Sequence, residues 1–428
     1  MKTVGLIVLG LLVAVFAFIG ILYSTRGTPL KTVRAFGDGN GPPPVGDTLF
    51  RQTMELLTST ELTPGNHVEV MINGDQTYPR LFDDLRSARE TITMQMYYCQ
   101  PGVMADSFKT ILSDRAKAGV RVLFLVDAFG AQNLSEEYFD SLSQAGVKVA
   151  QFRPVHWYSL HKAQSRSHIR VVVVDGRTSW TGGFGIADKW FGDGRSKESW
   201  RDTNARFTGP AVRQHQATFV AGWVEATGEL LTGPLFFPEP MASDTGVDAS
   251  LMHLAPTIGS TPAERFLALS IAGARKTLYI TNSYFVPDDD FRRLMINAVK
   301  RGVDVRILTT GAETDIKTTW YAGRGHYEEL LRGGVRVYEY QPSMMHAKSL
   351  VVDGMWSSLG TMNFDNRSLV FNDESQINVL DPTFGATMDS IFLEDLEYAK
   401  EIVLDEFQKR PWTNKLLERG ATALGRVL

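Results

Sequence analysis

Two short segments in different parts of the chain carry the same pattern of reactive side chains. Residues 167–176 read SHIRVVVVDG, and residues 345–354 read MHAKSLVVDG. Each segment has a histidine, a cationic residue two positions later, and an aspartate and a glycine at the end of an apolar run. A close repeat of this kind predicts one site built from two equivalent parts.

The polar residues at the heads of these segments suit the transfer of a phosphodiester. Side chains alternate between the two faces of a strand, so His168 and Arg170 should point the same way, as should His346 and Lys348. One histidine can attack phosphorus while the other protonates the departing alcohol. The cations can hold the non-bridging oxygens as charge shifts onto them. We therefore predict that these four residues are catalytic.

The aspartates of the two segments are not expected to carry protons. Asp175 and Asp353 lie seven positions after the histidines, an odd offset that turns them to the opposite face of the strand. They are predicted to be structural partners at the strand ends. A glycine-containing turn follows each segment, at residues 181–188 and 359–368, and such turns let backbone N–H groups approach an anion. The predicted substrate-binding residues of these turns are Gly183, Gly360, Thr361 and Asn363.

This chemistry needs neither a cofactor nor a metal, and the composition argues against several other kinds of site. No group of Asp, Glu and His has convincing metal-ligand spacing, so no metal is predicted. The single cysteine, Cys99, excludes an internal disulfide and a cysteine-rich zinc site. The formal net charge of −4 gives no basic footprint for nucleic acid, which disfavours a nuclease.

The N-terminal segment predicts a membrane anchor. Residues 4–22 are uncharged and apolar over about the length that a helix needs to cross a bilayer, and no clear cleavage site follows them. We predict a transmembrane anchor at 1–23, with a cleaved signal peptide as the alternative. The Gly/Pro-rich stretch at 24–48 is predicted to be a linker, since it cannot hold a helix or a central strand.

The rest of the chain divides into two similar halves, 49–235 and 251–428. Each contains, in the same order, an apolar β-rich run, a helical period and a further apolar strand. Strands such as VRVLFLV and RVVVVD are continuously apolar, which is typical of a sheet covered by helices on both faces. The prediction is a duplicated α/β fold, with two mixed β-sheet domains flanked by helices and packed about a pseudo-two-fold axis.

At these residues the sequence resembles the phospholipase D superfamily, whose signature is a pair of H-x-K-x4-D motifs, and within it the bacterial cardiolipin synthases. The resemblance covers most of residues 67–420. Its long and specific stretches are SYFVPD at 283–288, YEELLRGGVRVYEYQPSMMHAKSLVVDG at 327–354 and NFDNRSLVFNDE at 363–374. The resemblance implies that both halves are phospholipase D-like domains.

The resemblance also implies a metal-independent, two-step transfer of a phosphatidyl group from phosphatidylglycerol to an alcohol of a second phospholipid or polyol. His168 would form a phosphatidyl-histidine, and His346 would protonate the leaving alcohol and then activate the incoming one. Lys348, Asn363 and Arg170 would hold the phosphate. The expected location is the bacterial plasma membrane.

Four further residues are candidates at this centre. Asp202 and Glu374 match the carboxylates with which the family orients its histidines, and surface salt bridges are the alternative. Arg166 and Arg367 are candidates for binding anionic headgroups, although each is equally suited to a solvated ion pair.

The first half departs from the family pattern. Arg170 stands where the family has lysine, Gly185 stands where it has asparagine, and Gln95 stands near a position that is acidic in many relatives. Arginine is longer and planar, and the loss of the amide removes one phosphate donor. Three readings of the function stay open: a phosphatidyltransferase, a phospholipase D that uses water, and a non-catalytic membrane scaffold whose first motif has decayed.

The C-terminal stretch at 408–428 mixes basic and apolar residues. This composition predicts either an interfacial helix on anionic lipid or a terminal helix docked on the body. The sequence leaves the oligomeric state and the side of the membrane open.

Overall fold

The structure is a computed structural model that describes residues 2–24, 30, 32–33, 42–154, 165–257 and 259–425. Most of the predicted linker at 24–48 lies outside the described residues, as does Arg426 of the C-terminal stretch. The described α-helices are α1 (Lys2–Ser24), α2 (Thr48–Thr58), α3 (Asn73–Ser87), α4 (Val103–Lys117), α5 (Glu136–Gln144), α6 (Val212–Thr227), α7 (Pro262–Gly273), α8 (Asp289–Lys300), α9 (Lys317–Arg324), α10 (Tyr327–Arg332), α11 (Pro382–Leu396), α12 (Leu404–Gln408) and α13 (Trp412–Ala423).

The strands alternate with these helices and belong to one sheet. They are β1 (Thr63–Ile72), β2 (Thr91–Met96), β3 (Arg121–Asp127), β4 (Lys148–Phe152), β5 (Val171–Val174), β6 (Thr178–Gly182), β7 (Thr203–Thr208), β8 (Val247–Leu254), β9 (Thr277–Asn282), β10 (Asp304–Thr310), β11 (Arg336–Tyr340), β12 (Lys348–Val352), β13 (Trp356–Gly360), β14 (Glu374–Leu380) and β15 (Ala399–Glu401). The described strands follow the order β15-β11-β10-β9-β12-β13-β14-β8-β1-β7-β6-β5-β2-β3-β4.

The continuous sheet differs from the prediction of two separate sheets, and β1 is the reason. This strand pairs along residues 67–72 with β7, and near its start Thr63 and Asn66 pair with β8. Its ten residues are therefore long enough to hold one partner on each edge. The pairing of β1 with β8 joins the two halves.

The strand order repeats outward from this junction. β2, β3 and β4 are parallel to one another, as are β9, β10 and β11. In each half the hairpin that carries the histidine motif, β5–β6 or β12–β13, pairs antiparallel with that parallel set. The predicted mixed α/β fold is confirmed. The axis relating the halves stays a prediction.

Burial on both faces explains the unbroken apolar sequence of β5. Val172 and Val174 lie in an apolar cluster with residues of α3 and α4, whereas Val171 and Val173 lie in a second cluster. The second cluster also contains Ile377 of β14, so it is shared between the halves. Alternate side chains are thus buried in different clusters, and the shared one packs the motif strands of the two halves together.

A helix forms over the predicted anchor, but the predicted crossing is not supported. In α1 the apolar side chains from Val4 to Phe18 are exposed. Within the described part of the chain, however, no helix combines the length and the apolar character that a membrane span requires.

The C-terminal stretch docks on the body through α13. Glu418 of this helix is buried and accepts hydrogen bonds from Arg324 of α9 and from Arg410. The outer side of the helix keeps Trp412 and Leu416 exposed. The docked alternative is therefore the observed one, and it leaves an apolar surface outward.

Candidate active site

The two motifs meet at the contact between the halves. The backbone N–H of His168 donates to the carbonyl of Asp373, at 2.8 Å, and the N–H of His346 donates to the carbonyl of Arg201, at 2.7 Å. Each motif segment is therefore held by main-chain hydrogen bonds to the other half just before its own strand begins. These two hydrogen bonds place both histidines at the contact between the halves.

Each histidine is oriented by a carboxylate from the other half. His168 Nδ1 lies 2.8 Å from Glu374 Oε2, and His346 Nδ1 lies 2.8 Å from Asp202 Oδ2. All four side chains are buried, with only 7% of His168 and 4% of His346 exposed. The predicted orienting carboxylates thus contact the histidines, and the contacts cross between the halves.

The cation of each motif fixes the tautomer of its histidine. Arg170 Nη2 lies 3.1 Å from His168 Nε2, and Lys348 Nζ lies 3.0 Å from His346 Nε2. In its charged form neither side chain can accept a hydrogen bond, so with both cations charged both Nε2 atoms accept and both Nδ1–H groups donate to the carboxylates. Each imidazole therefore presents an Nε2 lone pair toward a cation, which is the arrangement of a nucleophile or base beside a phosphate-binding charge.

Further hydrogen bonds hold the carboxylates in place. Asp202 accepts from Trp190 Nε1 at 2.9 Å and from the backbone N–H of Thr203 at 2.8 Å. Glu374 accepts from the Thr361 hydroxyl at 2.5 Å. Because their oxygens are committed in this way, the carboxylates have little freedom to move, and the imidazoles they hold are preorganised.

Burial and the neighbouring cations shift the pKa values of this centre. Burial, followed by the charges of Arg170 and Lys348, lowers the pKa of His168 well below its ordinary value, and burial with Lys348 does the same for His346. Burial also lowers the pKa of Lys348 to about 7. Both histidines are therefore neutral in the free protein at neutral pH, in agreement with their tautomers.

The two carboxylates respond in opposite directions. Burial raises the pKa of Glu374 to about 7. Burial also opposes ionisation of Asp202, but the contact with His346 and the charge of Lys348 hold its pKa below the ordinary value. Asp202 is therefore ionised at neutral pH, whereas Glu374 titrates close to neutrality.

Two polar groups of the site have no hydrogen-bond partner among the described residues. Asn363 Oδ1 and Arg170 Nε are both buried and unpaired. Unpaired buried polar groups are costly unless a ligand satisfies them. Both belong to residues predicted to hold the phosphate, and their free atoms are consistent with that prediction.

Aromatic rings that the sequence analysis did not identify enclose the imidazoles. The ring of Trp200 stacks on His346, with centroids 5.0 Å apart, and Trp190 meets the same imidazole edge-on at 5.1 Å. Tyr97 meets His168 edge-on at 4.9 Å. Trp200 lies two residues before Asp202, and this closeness to a predicted site residue could have indicated that it belongs to the site. No feature of the sequence indicated Tyr97 or Trp190.

Trp190 also explains the glycine that replaces asparagine in the first turn. A β-carbon at Gly185 would lie 2.9 Å from the Trp190 ring and 3.1 Å from the Tyr98 carbonyl oxygen. The space for a side chain at this position is thus filled by the indole that donates to Asp202. At Gly185, where the family resemblance implies asparagine, the indole therefore leaves no room for a side chain.

Three of the turn residues predicted to bind substrate contact the strands and carboxylates next to the histidines. Gly183 packs directly against the Asp202 carboxylate, so a side chain there would overlap it. Gly360 is the last residue of β13 and pairs with Gln376. The backbone N–H of Thr361 donates to the carbonyl of Ser375, and its hydroxyl holds Glu374. In the described structure Gly183 and Thr361 therefore support the carboxylates, whereas Gly360 belongs to the pairing of β13 with β14.

The two additional arginines occupy different environments. Arg166 is buried, donates to the carbonyls of Arg153 and Ser165, and lies 3.7 Å from Asp127. Its guanidinium is thus held inside the protein. Arg367 is partly exposed at the start of the π-helix Arg367–Phe371, and its charge helps to lower the pKa of His168. Of the two, Arg367 is the one placed to meet a ligand.

The motif aspartates lie at the ends of their strands, facing away from the histidines. Asp175 accepts hydrogen bonds from the backbone N–H groups of residues 89–91, and Asp353 does the same for residues 275–277. Each carboxylate therefore ties the chain entering β2 or β9 to the end of β5 or β12. Gln95, on β2, is also buried and donates to Ser167, the residue before His168.

The described residues contain no group of three or more His, Cys, Asp or Glu side chains that could hold a metal ion. The reactive centre consists of the two imidazoles, their carboxylates and the two cations.

The fold and the paired motifs define a phospholipase D-like protein, and comparison with known proteins specifies the family. Residues 81–220 and 267–396 match the family model described as cardiolipin synthase, PLD-like domain. The chain is 32% identical over 374 residues to cardiolipin synthase 2 of Bacillus anthracis, which covers 87% of this chain and 72% of the relative. It is 34% identical over 379 residues to a cardiolipin synthase of a Geobacillus species, covering 88% and 75%. The chain belongs to this family, as its motifs predicted.

Solved structures agree with this fold. Phosphatidylserine synthase of Haemophilus influenzae superimposes with a TM-score of 0.69 at 13% identity, covering 89% of this chain and 99% of that one. Polyphosphate kinase of Porphyromonas gingivalis gives a TM-score of 0.54 at 13% identity, over 83% of this chain and 53% of the kinase. At such identities the likeness concerns the fold alone.

Proposed function

We propose that this protein is a phosphatidyltransferase of the cardiolipin synthase type, which transfers a phosphatidyl group from phosphatidylglycerol to an alcohol of a second phospholipid. One observation carries the proposal. The centre contains two neutral imidazoles, each fixed by a carboxylate from the opposite half and each facing a buried cation. Family membership supplies the substrate class, since the relatives are named cardiolipin synthases.

In the first step, His168 Nε2 attacks phosphorus and the bond from phosphorus to the headgroup oxygen breaks. The departing oxygen takes the bonding electron pair and receives a proton from His346 Nε2. Arg170, Lys348 and Asn363 hold the non-bridging oxygens. A bound phosphate anion opposes the effects that lower the pKa of His346, and so favours the protonated form that the step requires.

In the second step, the acceptor alcohol gives its proton to His346 Nε2 while its oxygen attacks phosphorus. The phosphorus–nitrogen bond breaks, and its electron pair returns to His168. Asp202 and Glu374 stabilise whichever imidazole carries positive charge in each step. The first and second steps are thus the same displacement run in opposite directions, which suits a site built from two equivalent halves.

We also propose that residues 49–235 and 251–428 are two phospholipase D-like domains that share this one centre. The two matches to the family model fall inside these ranges. The repeated strand order supports the same division.

We further propose that the protein works at a membrane surface. The exposed apolar side chains of α1, together with Trp412 and Leu416 on α13, support contact with lipid. Fractionation of cells that express the full chain and a variant lacking residues 2–24 tests this. Equal release of both into the soluble fraction would contradict a role for α1.

The test of function is a product analysis with labelled phosphatidylglycerol in mixed micelles, without added metal. We expect cardiolipin and free glycerol from the full chain, and neither product from His168→Ala or His346→Ala. The control is His67→Ala, because His67 is exposed on β1 and lies outside the centre.

Two results would overturn the proposal. Phosphatidic acid alone would indicate that water is the acceptor and that the protein is a phospholipase D. The absence of any product with folded protein would favour a non-catalytic scaffold.

A further inference from the structure

Lys189 is enclosed by three aromatic rings beside the catalytic centre. Its Nζ lies 3.7 Å from the ring centroid of Trp200, 4.1 Å from that of Tyr98 and 5.1 Å from that of Trp190. It also donates a hydrogen bond of 3.0 Å to the Tyr98 hydroxyl. We call Tyr98, Trp190 and Trp200 the aromatic cage. None of the roles assigned so far uses Lys189.

Two of the three rings of the cage also contact His346. Trp200 stacks on the His346 imidazole, and Trp190 meets it edge-on. In the proposed function, His346 passes the proton to and from the headgroup oxygen. A headgroup bound on this side of the phosphate therefore comes next to the cage.

An aromatic cage of this kind is the arrangement with which proteins recognise quaternary ammonium groups, because the ring faces are negative. Here the protein fills the cage with its own cation. Burial lowers the pKa of Lys189 to about 8, so the ammonium form still prevails at pH 7. The cage is thus both occupied and positively charged, and the charges of Asp315 and Arg170 lie close enough to act on Lys189.

The contacts of Lys189 exceed those of an ordinary surface lysine. Lys109 provides the comparison within the same chain, since its Nζ lies 5.2 Å from a single ring, that of Tyr138, and pairs with Asp106. Lys189 has three rings and only partial exposure. No carboxylate lies within salt-bridge distance of it among the described residues, so the rings are its main partners.

We propose that Lys189 is a specificity-determining residue that fills the aromatic cage, excludes headgroups bearing an ammonium cation, and leaves the site to uncharged polyol headgroups such as glycerol. This inference rests on the proposed function, because it takes the His346 side of the centre as the headgroup side. It assigns the cage a latent affinity for quaternary ammonium that removal of the Lys189 side chain would expose.

The first test measures binding and does not depend on turnover. Tetramethylammonium is titrated by calorimetry into the full chain in micelles, comparing the unmodified protein with Lys189→Ala and with the matched control Lys109→Ala. We expect Lys189→Ala to bind the cation about tenfold or more tightly than the other two, in line with the strength of cation–π contacts at shielded sites. Equal binding by all three would overturn the inference.

A second variant separates the filling of the cage by a side chain from the positive charge of that side chain. Lys189→Met keeps a chain of similar length in the cage but removes the charge, so it should fold and should bind the cation no more tightly than the unmodified protein. Thermal melts of all variants identify any loss of folding. If Lys189→Ala unfolds, Lys189→Ser takes its place in the same titration. Tight binding by Lys189→Met would overturn the idea that filling the cage excludes the ligand.

The second test measures turnover and compares phosphatidylglycerol with phosphatidylcholine as donors of the phosphatidyl group. Lys189→Ala should shift the ratio of kcat/KM toward phosphatidylcholine by about tenfold, whereas Lys109→Ala should not. Failure of the proposed function would appear as no turnover by the unmodified protein, and the binding test would still report on the cage. An unchanged donor ratio in an active Lys189→Ala enzyme would overturn the specificity role alone.

Discussion

Asp202 illustrates how much a single side chain of this centre depends on its partners. It orients His346, accepts from Trp190, and stays ionised through its contact with His346 and the charge of Lys348. An amide at this position would keep the shape but could present N–H to His346 Nδ1, which favours the wrong tautomer. The His346 imidazole would lose its orientation, and its protonated form would lose the negative charge that stabilises it.

Asp202→Asn is therefore expected to lower kcat by on the order of 10² to 10⁴, with a smaller change in KM. Steady-state kinetics on phosphatidylglycerol micelles measure the effect, and a thermal melt checks the fold. Asp83→Asn serves as the control, since Asp83 is exposed and, among the described residues, forms its ion pair with Arg86. A normal kcat in folded Asp202→Asn would contradict the orienting role.

The pH profile depends on two other side chains, Glu374 and Lys348, whose pKa values are both about 7. Protonation of Glu374 as the pH falls through this value removes the negative charge that orients His168 and stabilises its imidazolium. Loss of the proton from Lys348 as the pH rises through it removes a phosphate-binding cation. We therefore predict a narrow bell-shaped profile of kcat/KM with its maximum near neutrality.

The variants assign the two limbs. Glu374→Gln should flatten the acid limb, and Lys348→Arg should flatten the alkaline limb because guanidinium stays charged. Both should lower the maximum. A profile whose limbs survive both substitutions would show that other groups control it.

At the level of strands and turns, the glycine turn at 181–188 provides the space that the Asp202 carboxylate occupies. A β-carbon at Gly183 would overlap Asp202, which comes from the residue just before β7. Gly183→Ala should therefore displace Asp202 and reduce kcat about tenfold or more, while destabilising the fold by about 1–3 kcal/mol.

Gly420→Ala is the matched control for this prediction. Gly420 lies within α13, and apart from the backbone of its own helix no described atom lies within 4 Å of the position that a β-carbon would take. This substitution should leave kcat unchanged and slightly raise the stability to denaturant. If Gly183→Ala retained full kcat, the packing of the turn against Asp202 would not limit catalysis.

For the whole chain, the crossed contacts make the centre a property of both halves together. His168 takes its carboxylate from the second half, and His346 takes its carboxylate from the first. The shared apolar cluster and the pairing of β1 with β8 hold these contacts. Neither half has a complete catalytic pair alone.

A chain cut in the exposed segment between Met241 and Asp244 tests this. Each half expressed alone should form no product, and co-expression of both halves should restore activity through reassembly. Product assays on the separate and combined halves provide the measurement. Turnover by one half alone, above that of its own histidine-to-alanine variant, would contradict the shared centre.

Several features of this protein were determined by sequence alone, because they depend on local periodicity. The alternation of side chains along a strand placed His346 and Lys348 on one face and turned Asp353 away from them. The unbroken apolar run of β5 predicted burial on both faces. The repeated motifs predicted the family. Local rules of this kind act over a few residues, so they can be seen without a fold.

Only the tertiary structure decided which partner each residue meets. The crossed pairing of His168 with Glu374 and of His346 with Asp202, the enclosure of Arg166, and the filling of the space beside Gly185 by Trp190 all depend on how distant segments pack. The joining of two expected sheets into one depended on a strand with two partners, β1. Contacts between residues far apart in the chain follow from packing of the whole core, and no short-range pattern records them.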